Sequence, residues 1–201
     1  MASVKLIKFL DRYFGAIICL VLSIFNIKNN KNNPYKKILL IQLWGIGETV
    51  LCLPAIKALK ESNKKIEIDV LATERVKDVF YSNKNISSLK IIELGPFSIL
   101  RFIIKNRREY DLAIDMEEYL NISAIMAFFA GKERVGYSHG IRSYLYNKKV
   151  RYEDKQHTAQ TFMDLLQPLG IRKHVKSLEK LNYSKEDRTK VDNLLKNYGI
   201  K

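Results

Sequence analysis

One stretch near the beginning of the chain, residues 37–59, constrains the fold more than any other. It opens with an apolar run from Lys37 to Leu43 that has the length of a buried strand, turns on Gly45 and Gly47, and then adopts helical spacing. The glycines let the backbone bend tightly and approach a bound molecule. Free N–H groups at the start of the helix favour an anionic or hydroxyl-bearing ligand. The stretch therefore predicts a strand, a turn and a helix, with a ligand site at the turn.

Glu48 follows the second glycine, at the predicted carboxyl end of the first strand, where open α/β sheets bind ligands. A simpler role is also open, in which the glycines only close the turn and Glu48 only offsets the helix dipole. The pattern is not a dinucleotide-binding fingerprint, because Val50 stands at the position of the third glycine. It also lacks the Gly-Lys-Ser/Thr ending of a P-loop, so the turn differs from both common phosphate-binding loops.

Strand and helix patterns alternate along the rest of the chain. The candidate strands are 38–43, 66–72, 89–94, 112–115 and 134–137, and the candidate helices are 48–61, 74–81, 97–107, 120–130, 158–170 and 184–199. This alternation predicts a parallel sheet with helices on both faces. Pro54 falls inside the first of these helices, which either kinks there or begins its regular part there. Ser184 and Asp187 predict a capping box for the last one.

Residues 1–36 differ in composition and are predicted to form a separate element. No charge occurs between Tyr13 and Ile27, and a helix of that length spans about 22 Å, less than the roughly 30 Å of a hydrocarbon core. Because basic residues flank the run, we expect residues 4–27 to form a tilted or interfacial anchor on the cytoplasmic face of the cell membrane. The alternatives are a cleaved signal peptide, for which no small-x-small cleavage site follows, and a helix packed on the domain itself.

The formal net charge of +14 indicates an anionic partner, such as a membrane surface, a phosphorylated substrate or nucleic acid. Aromatic and basic residues alternate over 137–152, as in proteins that bind single strands by stacking, but no RNP-type strand motif accompanies them, which argues against nucleic acid. Cys19 and Cys52 lie in apolar runs, which argues against a disulfide scaffold and a zinc site. A reducing compartment fits best.

The stretch 37–59 resembles the opening of glycosyltransferase family 9, the heptosyltransferase group. The residues that carry this resemblance are Gly45-Ile46-Gly47-Glu48 and Leu51-Cys52-Leu53-Pro54-Ala55. A second similarity is Tyr110-Asp111-Leu112-Ala113-Ile114-Asp115-Met116-Glu117, followed by a helix and by residues 131–137. A third runs from His157 to Gly170. Together they cover about residues 37–171.

The resemblance implies the GT-B fold, in which two Rossmann-like halves face each other across a cleft. Members of the family transfer a sugar, with inversion, from a nucleotide-sugar donor to a hydroxyl of a glycolipid or cell-envelope glycan such as the lipopolysaccharide core. The amino-terminal half binds the acceptor, and the acidic residue of its glycine turn acts as general base. No metal or other cofactor is implied besides the nucleotide-sugar co-substrate.

Glu48 corresponds to that general base, where the family has Asp. The implied substrate-binding residues are Trp44, Gly45, Ile46, Gly47, Thr49, Asp115 and Glu117. Glu can accept a proton as Asp does, but its carboxylate lies one methylene further out. After Asp115 the family often has Gln-Gly where this chain has Glu117-Glu118, so we expect an acceptor other than the usual phosphorylated core sugar. Alternatively, Asp115 and Glu117 cap the next helix. His139 and His157 are interpreted as structural.

We predict three segments: a membrane-associating helix and polar linker at 1–36, a Rossmann-like acceptor-binding domain at 37–182, and an interdomain or terminal helix at 183–201. The donor-binding half of the family lies outside this sequence, so the chain alone is expected to be poorly active or inactive as a transferase. The alternatives are a non-catalytic, membrane-attached module that binds a glycan or an anion, and one half of a split enzyme.

Overall fold

The computed structural model describes residues 9–26 and 34–199. Its strands are β1 Lys37–Ile41, β2 Glu67–Ala72, β3 Ser88–Ile91, β4 Tyr110–Asp115, β5 Gly131–Tyr137 and β6 Lys148–Val150. Its α-helices are α1 Ala16–Ser23, α2 Ile46–Ser62, α3 Pro96–Lys105, α4 Asn121–Ala130, α5 Thr158–Asp164 and α6 Lys185–Asn197. A π-helical turn, Asp11–Gly15, runs directly into α1, and we call residues 11–23 the N-terminal helix.

The strands form one parallel sheet in the order β3-β2-β1-β4-β5-β6. At the end of β1, Ile41 lies between Leu71 of β2 and Asp115 of β4. The chain order reverses between β1 and β4, so the loops that follow these strands diverge and leave a crevice at the carboxyl edge. The predicted Rossmann-like sheet with helices on both faces is confirmed.

The apolar run of β1 supplies the core on both faces of the sheet. Ile38 and Leu40 pack in the cluster that contains the buried side of α2. Leu39 and Ile41 pack on the other face, with residues of α3 and α4. All four side chains are fully buried. A strand covered on both faces is apolar at successive positions, which explains why β1 is a continuous run of Ile and Leu.

Several predicted elements differ from the structure. The helix predicted over 74–81 is a short 3-10 helix, Lys77–Phe80, and Ser82 then turns the chain with a φ of 48°. Strand β6 was not among the candidate strands, because its three residues are too few for a periodic pattern. Pro54 lies well inside α2, so the regular part of this helix does not begin there. The capping box predicted at the start of α6 is confirmed.

The N-terminal helix packs on the α/β domain through one side. Cys19 is fully buried in a cluster with residues of α4 and of the segment before β6. A Cβ atom on Gly15 would lie 2.8 Å from Cβ of Asn121, so the glycine allows the helix to approach α4 closely. The Asp11 carboxylate accepts hydrogen bonds from the backbone N–H groups of Asn121 and Ile122 at 2.9 and 2.7 Å. It therefore satisfies donors that the first turn of α4 leaves open.

Asn26 adds a second attachment beyond the N-terminal helix. Its Nδ2 donates to the carbonyl of Tyr144 at 2.6 Å, and its Oδ1 accepts from Nη2 of Arg134 at 2.5 Å. The predicted polar linker continues through residues 27–33, which lie outside the described residues, as do 1–8, 200 and 201. Within the part of the chain that the structure describes, no helix has the length and apolar character needed to cross a membrane. The predicted segment limits at 36 and 182 stay predictions.

Replacing Asp11 by alanine is expected to lower the free energy of unfolding by about 1–2 kcal/mol, because two backbone N–H groups of α4 lose their acceptor. Equilibrium urea unfolding measures the change. Asp192→Ala is the matched control, since this exposed carboxylate only approaches Arg188 to 3.8 Å, and such surface pairs contribute at most about 1 kcal/mol. Equal losses in the two variants would contradict the capping role of Asp11.

Candidate functional site

The candidate site is the carboxyl edge of the sheet between β1 and β4. The two strands end at the same level, because Ile41 pairs with Asp115, and the N–H of Met116 donates to the carbonyl of Ile41 at 3.0 Å. The loop after β1, residues 42–45, leads directly into α2, which carries Glu48 in its first turn. The loop after β4, residues 116–120, leads into α4. The N-terminal end of α2 and both loops therefore meet at this edge.

Gly45 shapes the turn between β1 and α2. Its φ of 78° is a conformation that residues with a side chain rarely adopt. A Cβ atom on Gly45 would also collide with the Glu48 carboxylate, so the Glu48 side chain folds back over the turn. By contrast, a Cβ atom on Gly47 would meet nothing within 4 Å. Gly45 is therefore needed both for the backbone conformation and for the position of Glu48.

The loop after β1 is fixed by three side chains, one from the loop itself and two from the loops after β2 and β4. Oε1 of Glu117 accepts hydrogen bonds from the N–H groups of Leu43 and Trp44 at 2.5 and 2.7 Å. Nε2 of Gln42 donates to the carbonyl of Trp44 at 2.8 Å, and Oγ1 of Thr73 donates to the carbonyl of Leu43 at 2.7 Å. These bonds set the backbone that enters the glycine turn. Glu117 also ties the loop after β4 to the loop after β1.

Glu117 accepts these hydrogen bonds from a buried position. Its side chain lies almost wholly inside the protein, with 5% of the residue exposed. Burial raises the pKa of its carboxyl to about 8, although the hydrogen bonds from Leu43 and Trp44 act in the opposite direction. The carboxyl therefore changes its charge near neutral pH, while it contacts the backbone of the candidate site.

Asp115 lies beneath the candidate site and is fully buried. The donors to its carboxylate are Oγ of Ser123 at 2.8 Å, Oη of Tyr146 at 2.6 Å, Nη2 of Arg142 at 2.7 Å and the N–H of Glu117 at 3.1 Å. Arg142 is buried as well, and although burial alone would lower its pKa, the charge of Asp115 holds that pKa above its usual range. Asp115 therefore joins the end of β4 to α4 and to the segment before β6.

Aromatic rings and a further carboxylate form the outer part of the edge. The ring of His139 lies 5.5 Å from the ring of Tyr152 and 5.9 Å from that of Tyr119, and its Nε2 lies 2.9 Å from the carbonyl oxygen of Glu118. A hydrogen bond to Glu118, together with burial and the negative charges of Glu118 and Glu48, raises the pKa of Tyr119 to about 12. Burial and the same two carboxylates raise the pKa of Tyr152. The Glu48 carboxylate therefore lies near enough to Tyr119 and Tyr152 for its charge to affect their hydroxyl groups.

This combination of groups suits a ligand rich in hydroxyls. Carboxylates and backbone N–H groups hydrogen-bond to hydroxyl groups, while aromatic rings pack against the apolar C–H faces of a sugar. Glu48 is the exposed carboxylate at the glycine turn, where it can reach a hydroxyl proton of a bound molecule. Across residues 9–26 and 34–199, no three His, Cys, Asp or Glu side chains form a group that could hold a metal ion.

The structure brings the predicted site residues to one edge but at different depths. Gly45, Ile46, Gly47 and Glu48 form the turn, with Ile46 and Glu48 exposed. Trp44 is half-buried, with the guanidinium of Arg75 5.6 Å above its ring. Thr49 is fully buried and donates to the carbonyl of Gly45 at 2.8 Å. The catalytic role of Glu48 and the substrate contacts of the others, the buried Asp115 and Glu117 included, stay predictions.

Several residues that build this edge are not predicted from the sequence. These are Gln42, Thr73, Glu118, Tyr119, Arg142 and Tyr152, and His139, which was interpreted as structural. One local signal was available, because Gln42, Thr73 and Glu118 are polar residues just beyond the ends of buried strands. The other residues come from the loops after β4, β5 and β6, which meet only through the order of the strands.

The carboxyl-terminal part of the chain matches a known family in sequence. Residues 100–198 match the sequence model of glycosyltransferase family 9 (heptosyltransferase). This range includes the segments at 110–117 and 157–170 that carry the resemblance described above, and it begins after the glycine turn. No curated protein matches the chain.

Solved structures share the fold. A glycosyl transferase family 9 protein from Veillonella parvula superposes with a TM-score of 0.70 at 20% identity, over 83% of this chain and 50% of that one. The ADP-heptose lps heptosyltransferase II of E. coli gives 0.61 at 16% identity, over 80% and 50%. The E. coli heptosyltransferase WaaC, solved with ADP, gives 0.58 at 18% identity, over 71% and 50%. The chain therefore spans about half the length of each.

Substituting alanine at the two glycines is expected to have different effects on stability. Gly45→Ala should lower the free energy of unfolding by about 1–3 kcal/mol, because the residue has a positive φ and its methyl group would displace the Glu48 carboxylate. Gly47→Ala should leave it unchanged or raise it by up to about 1 kcal/mol, since the site has room and the helix gains from alanine. Urea unfolding of both variants measures the difference, and equal effects would contradict this account of the turn.

The stability contributed by Glu117 is expected to fall as the pH rises. Its pKa increases from 4.5 in the unfolded chain to about 8 in the folded protein, so the contribution is greatest below the lower value and is lost toward the higher one. Glu117→Gln keeps an acceptor oxygen for Leu43 and Trp44 but does not titrate. Relative to the wild type, the variant should gain at most about 1.4 kcal/mol per pH unit over this interval.

Urea unfolding at several pH values between about 5 and 8 measures this trend. Glu61→Gln is the control, because the exposed Glu61 pairs with Lys173 and its pKa is lowered. Its effect should therefore stay constant across the interval. A difference between wild type and Glu117→Gln that does not change with pH would show that Glu117 does not titrate there.

Proposed function

We propose that this chain is the acceptor-binding half of an inverting glycosyltransferase of family 9, because residues 100–198 match the sequence model of that family and a solved member shares the fold. The reaction moves a sugar from a nucleotide-sugar donor to a hydroxyl of a lipid-linked or cell-envelope glycan. The related E. coli heptosyltransferase WaaC was solved with ADP and with ADP-2-deoxy-2-fluoro heptose. An ADP-linked sugar is therefore the first donor to test.

The observation that carries this proposal is the position of the Glu48 carboxylate, at the carboxyl edge of the sheet where the chain order reverses between β1 and β4. It is exposed, it lies in the first turn of α2, and Gly45 leaves room for it to fold back over the glycine turn. In the proposed reaction Glu48 takes the proton of the acceptor hydroxyl while that oxygen bonds to the anomeric carbon of the donor. The bond from this carbon to the phosphate oxygen breaks on the opposite side, and the nucleoside diphosphate leaves with the bonding electrons. The configuration at the anomeric carbon inverts.

The surrounding groups have distinct roles in this proposal. Glu117, Gln42 and Thr73 hold the loop that sets the position of Glu48, and a displacement of about 1 Å can lower a rate roughly a hundredfold. Tyr119 and Tyr152 offer ring faces on which the sugar of the acceptor packs. Asp115 supports the loop after β4 from beneath through its hydrogen bond from Glu117.

The donor is proposed to bind to a second half. Because the chain spans about half the length of the solved structures it matches, the other half is proposed to complete the cleft, either in the same polypeptide or as a separate chain. The reaction is proposed to need no metal.

The proposal is tested on the native protein, isolated from its source cells with an antibody against residues 37–171, so that whatever completes the cleft is retained. Release of ADP from ADP-heptose, and of nucleoside diphosphates from other nucleotide sugars, is measured with and without a glycolipid extract of the same cells. Release that depends on the extract is the expected result. A native polypeptide of 23.4 kDa without transfer would instead favour the non-catalytic binding module.

Glu48→Gln in that protein is expected to lower the transfer rate by about 10²–10⁴, the usual contribution of a general base. Glu48→Asp should retain part of the rate, because a carboxylate remains. Glu61→Gln, at the other end of α2, is the matched control and should leave the rate unchanged. Circular dichroism verifies folding, and full transfer by Glu48→Gln would exclude Glu48 as the base.

A further inference from the structure

The outer side of the N-terminal helix is apolar. Its exposed side chains and those just beyond it include Phe14, Ile17, Ile18, Leu20, Val21 and Ile24, which are between 45% and 80% exposed. Single exposed apolar residues are common on soluble proteins, but contiguous ones mark a surface that binds something. The acidic residue of this helix, Asp11, is directed to the backbone of α4 and so leaves the outer side without a negative charge.

Helix α3 presents a similar outer side. Phe97, Leu100 and Ile104 follow one another at helical spacing and are 86%, 55% and 70% exposed, whereas Phe102 on the opposite side is buried. Arg101 and Lys105 are exposed as well, each one position after an exposed apolar residue. No acidic residue occurs in α3. The exposed stripe therefore combines apolar and basic side chains.

An apolar groove of about 540 Å³ joins the two helices into one surface. Phe14 and Ile18 of the N-terminal helix form one wall, Leu100 and Ile103 of α3 form the other, and Ile125 and Phe129 of α4 form the floor. Among the described residues that line the groove, Asp11 is the one charged residue, and its carboxylate is already hydrogen-bonded to α4. The apolar surface thus continues from the N-terminal helix across the groove to α3.

We propose that the N-terminal helix and α3 together form a membrane-binding face that inserts into an anionic bilayer, with lipid acyl chains filling the groove between them. Charge complementarity selects this occupant. Apolar side chains bordered by Arg and Lys match acyl chains beneath anionic headgroups, and the chain carries a net charge of +14. Arg12, Arg101 and Lys105 border the face and contact the headgroups.

The same geometry brings the bilayer close to the candidate site. The floor of the groove is α4, whose Ser123 donates to Asp115 at 2.8 Å beneath that site. This inference deepens the proposed function, since a lipid-linked acceptor would reach the site from the bilayer. Vesicle binding requires no transfer, so a failure of one proposal is distinguishable from a failure of the other.

The test is co-sedimentation of the full 201-residue chain with vesicles of phosphatidylcholine, alone or mixed with phosphatidylglycerol. The expected result is binding that is stronger to the mixed vesicles and weakens with added salt. Substituting Ser for Phe97, Leu100 and Ile104 together should weaken binding at least about tenfold, since three inserted side chains are lost. These residues are exposed, so the variant should fold, which circular dichroism verifies.

The matched control replaces three apolar residues outside the face. Val191, Leu194 and Tyr198, in α6 and at its end, are 53%, 56% and 75% exposed, and substituting Ser for all three should leave vesicle binding unchanged. The charge-reversed variant Arg101→Glu/Lys105→Glu should lose the preference for phosphatidylglycerol. The tryptophan fluorescence of Phe97→Trp, made in a Trp44→Phe background, should be quenched by lipids with brominated acyl chains.

Two results would overturn the proposal. Wild-type binding by the variant with Ser at Phe97, Leu100 and Ile104 would exclude α3 from the membrane contact. A wild-type dimer in solution that does not bind vesicles, and that the same variant dissociates, would assign the face to a second copy of the chain.

Discussion

The candidate site depends on one buried carboxylate, that of Asp115. A buried charge is costly unless it is paired and hydrogen-bonded, and here the Arg142 guanidinium and the hydroxyls of Ser123 and Tyr146 satisfy it. Each of these donors belongs to the part of the chain that follows β4. Since loss of any one would leave a buried charge less satisfied, the end of β4, α4 and the segment before β6 hold a fixed arrangement. Glu117, two residues later, extends this arrangement to the loop after β1.

The fold was predictable where a local pattern has one structural solution. The continuous apolar run of β1 fits only a strand covered on both faces, because such a strand is apolar at successive positions. The pattern over 74–81 fits more than one structure. Val76, Val79 and Phe80 have helical spacing and all three are buried, but the single 3-10 turn Lys77–Phe80 is sufficient to bury them. Spacing alone could not distinguish a helix from this turn.

The candidate site was predictable only in its local parts. The glycine turn and Glu48 follow β1 directly, and Asp115 and Glu117 mark the end of β4, so both edges of the crevice could be located in the sequence. That Glu117 accepts hydrogen bonds from Leu43 and Trp44 depends on the pairing of β1 with β4, which no local pattern contains. The rings of Tyr119, His139 and Tyr152 likewise come from separate loops that meet only in the folded sheet.

The contacts of the N-terminal helix have a consequence for how the molecule is made. Asp11 bonds to Asn121, 110 residues later, and Asn26 bonds to Tyr144, 118 residues later. During synthesis the helix therefore leaves the ribosome well before the chain that encloses Cys19 exists. A helix that is made early is therefore enclosed late. In that interval its apolar side chains stay exposed, and the helix is enclosed only after α4 and the segment before β6 have been made.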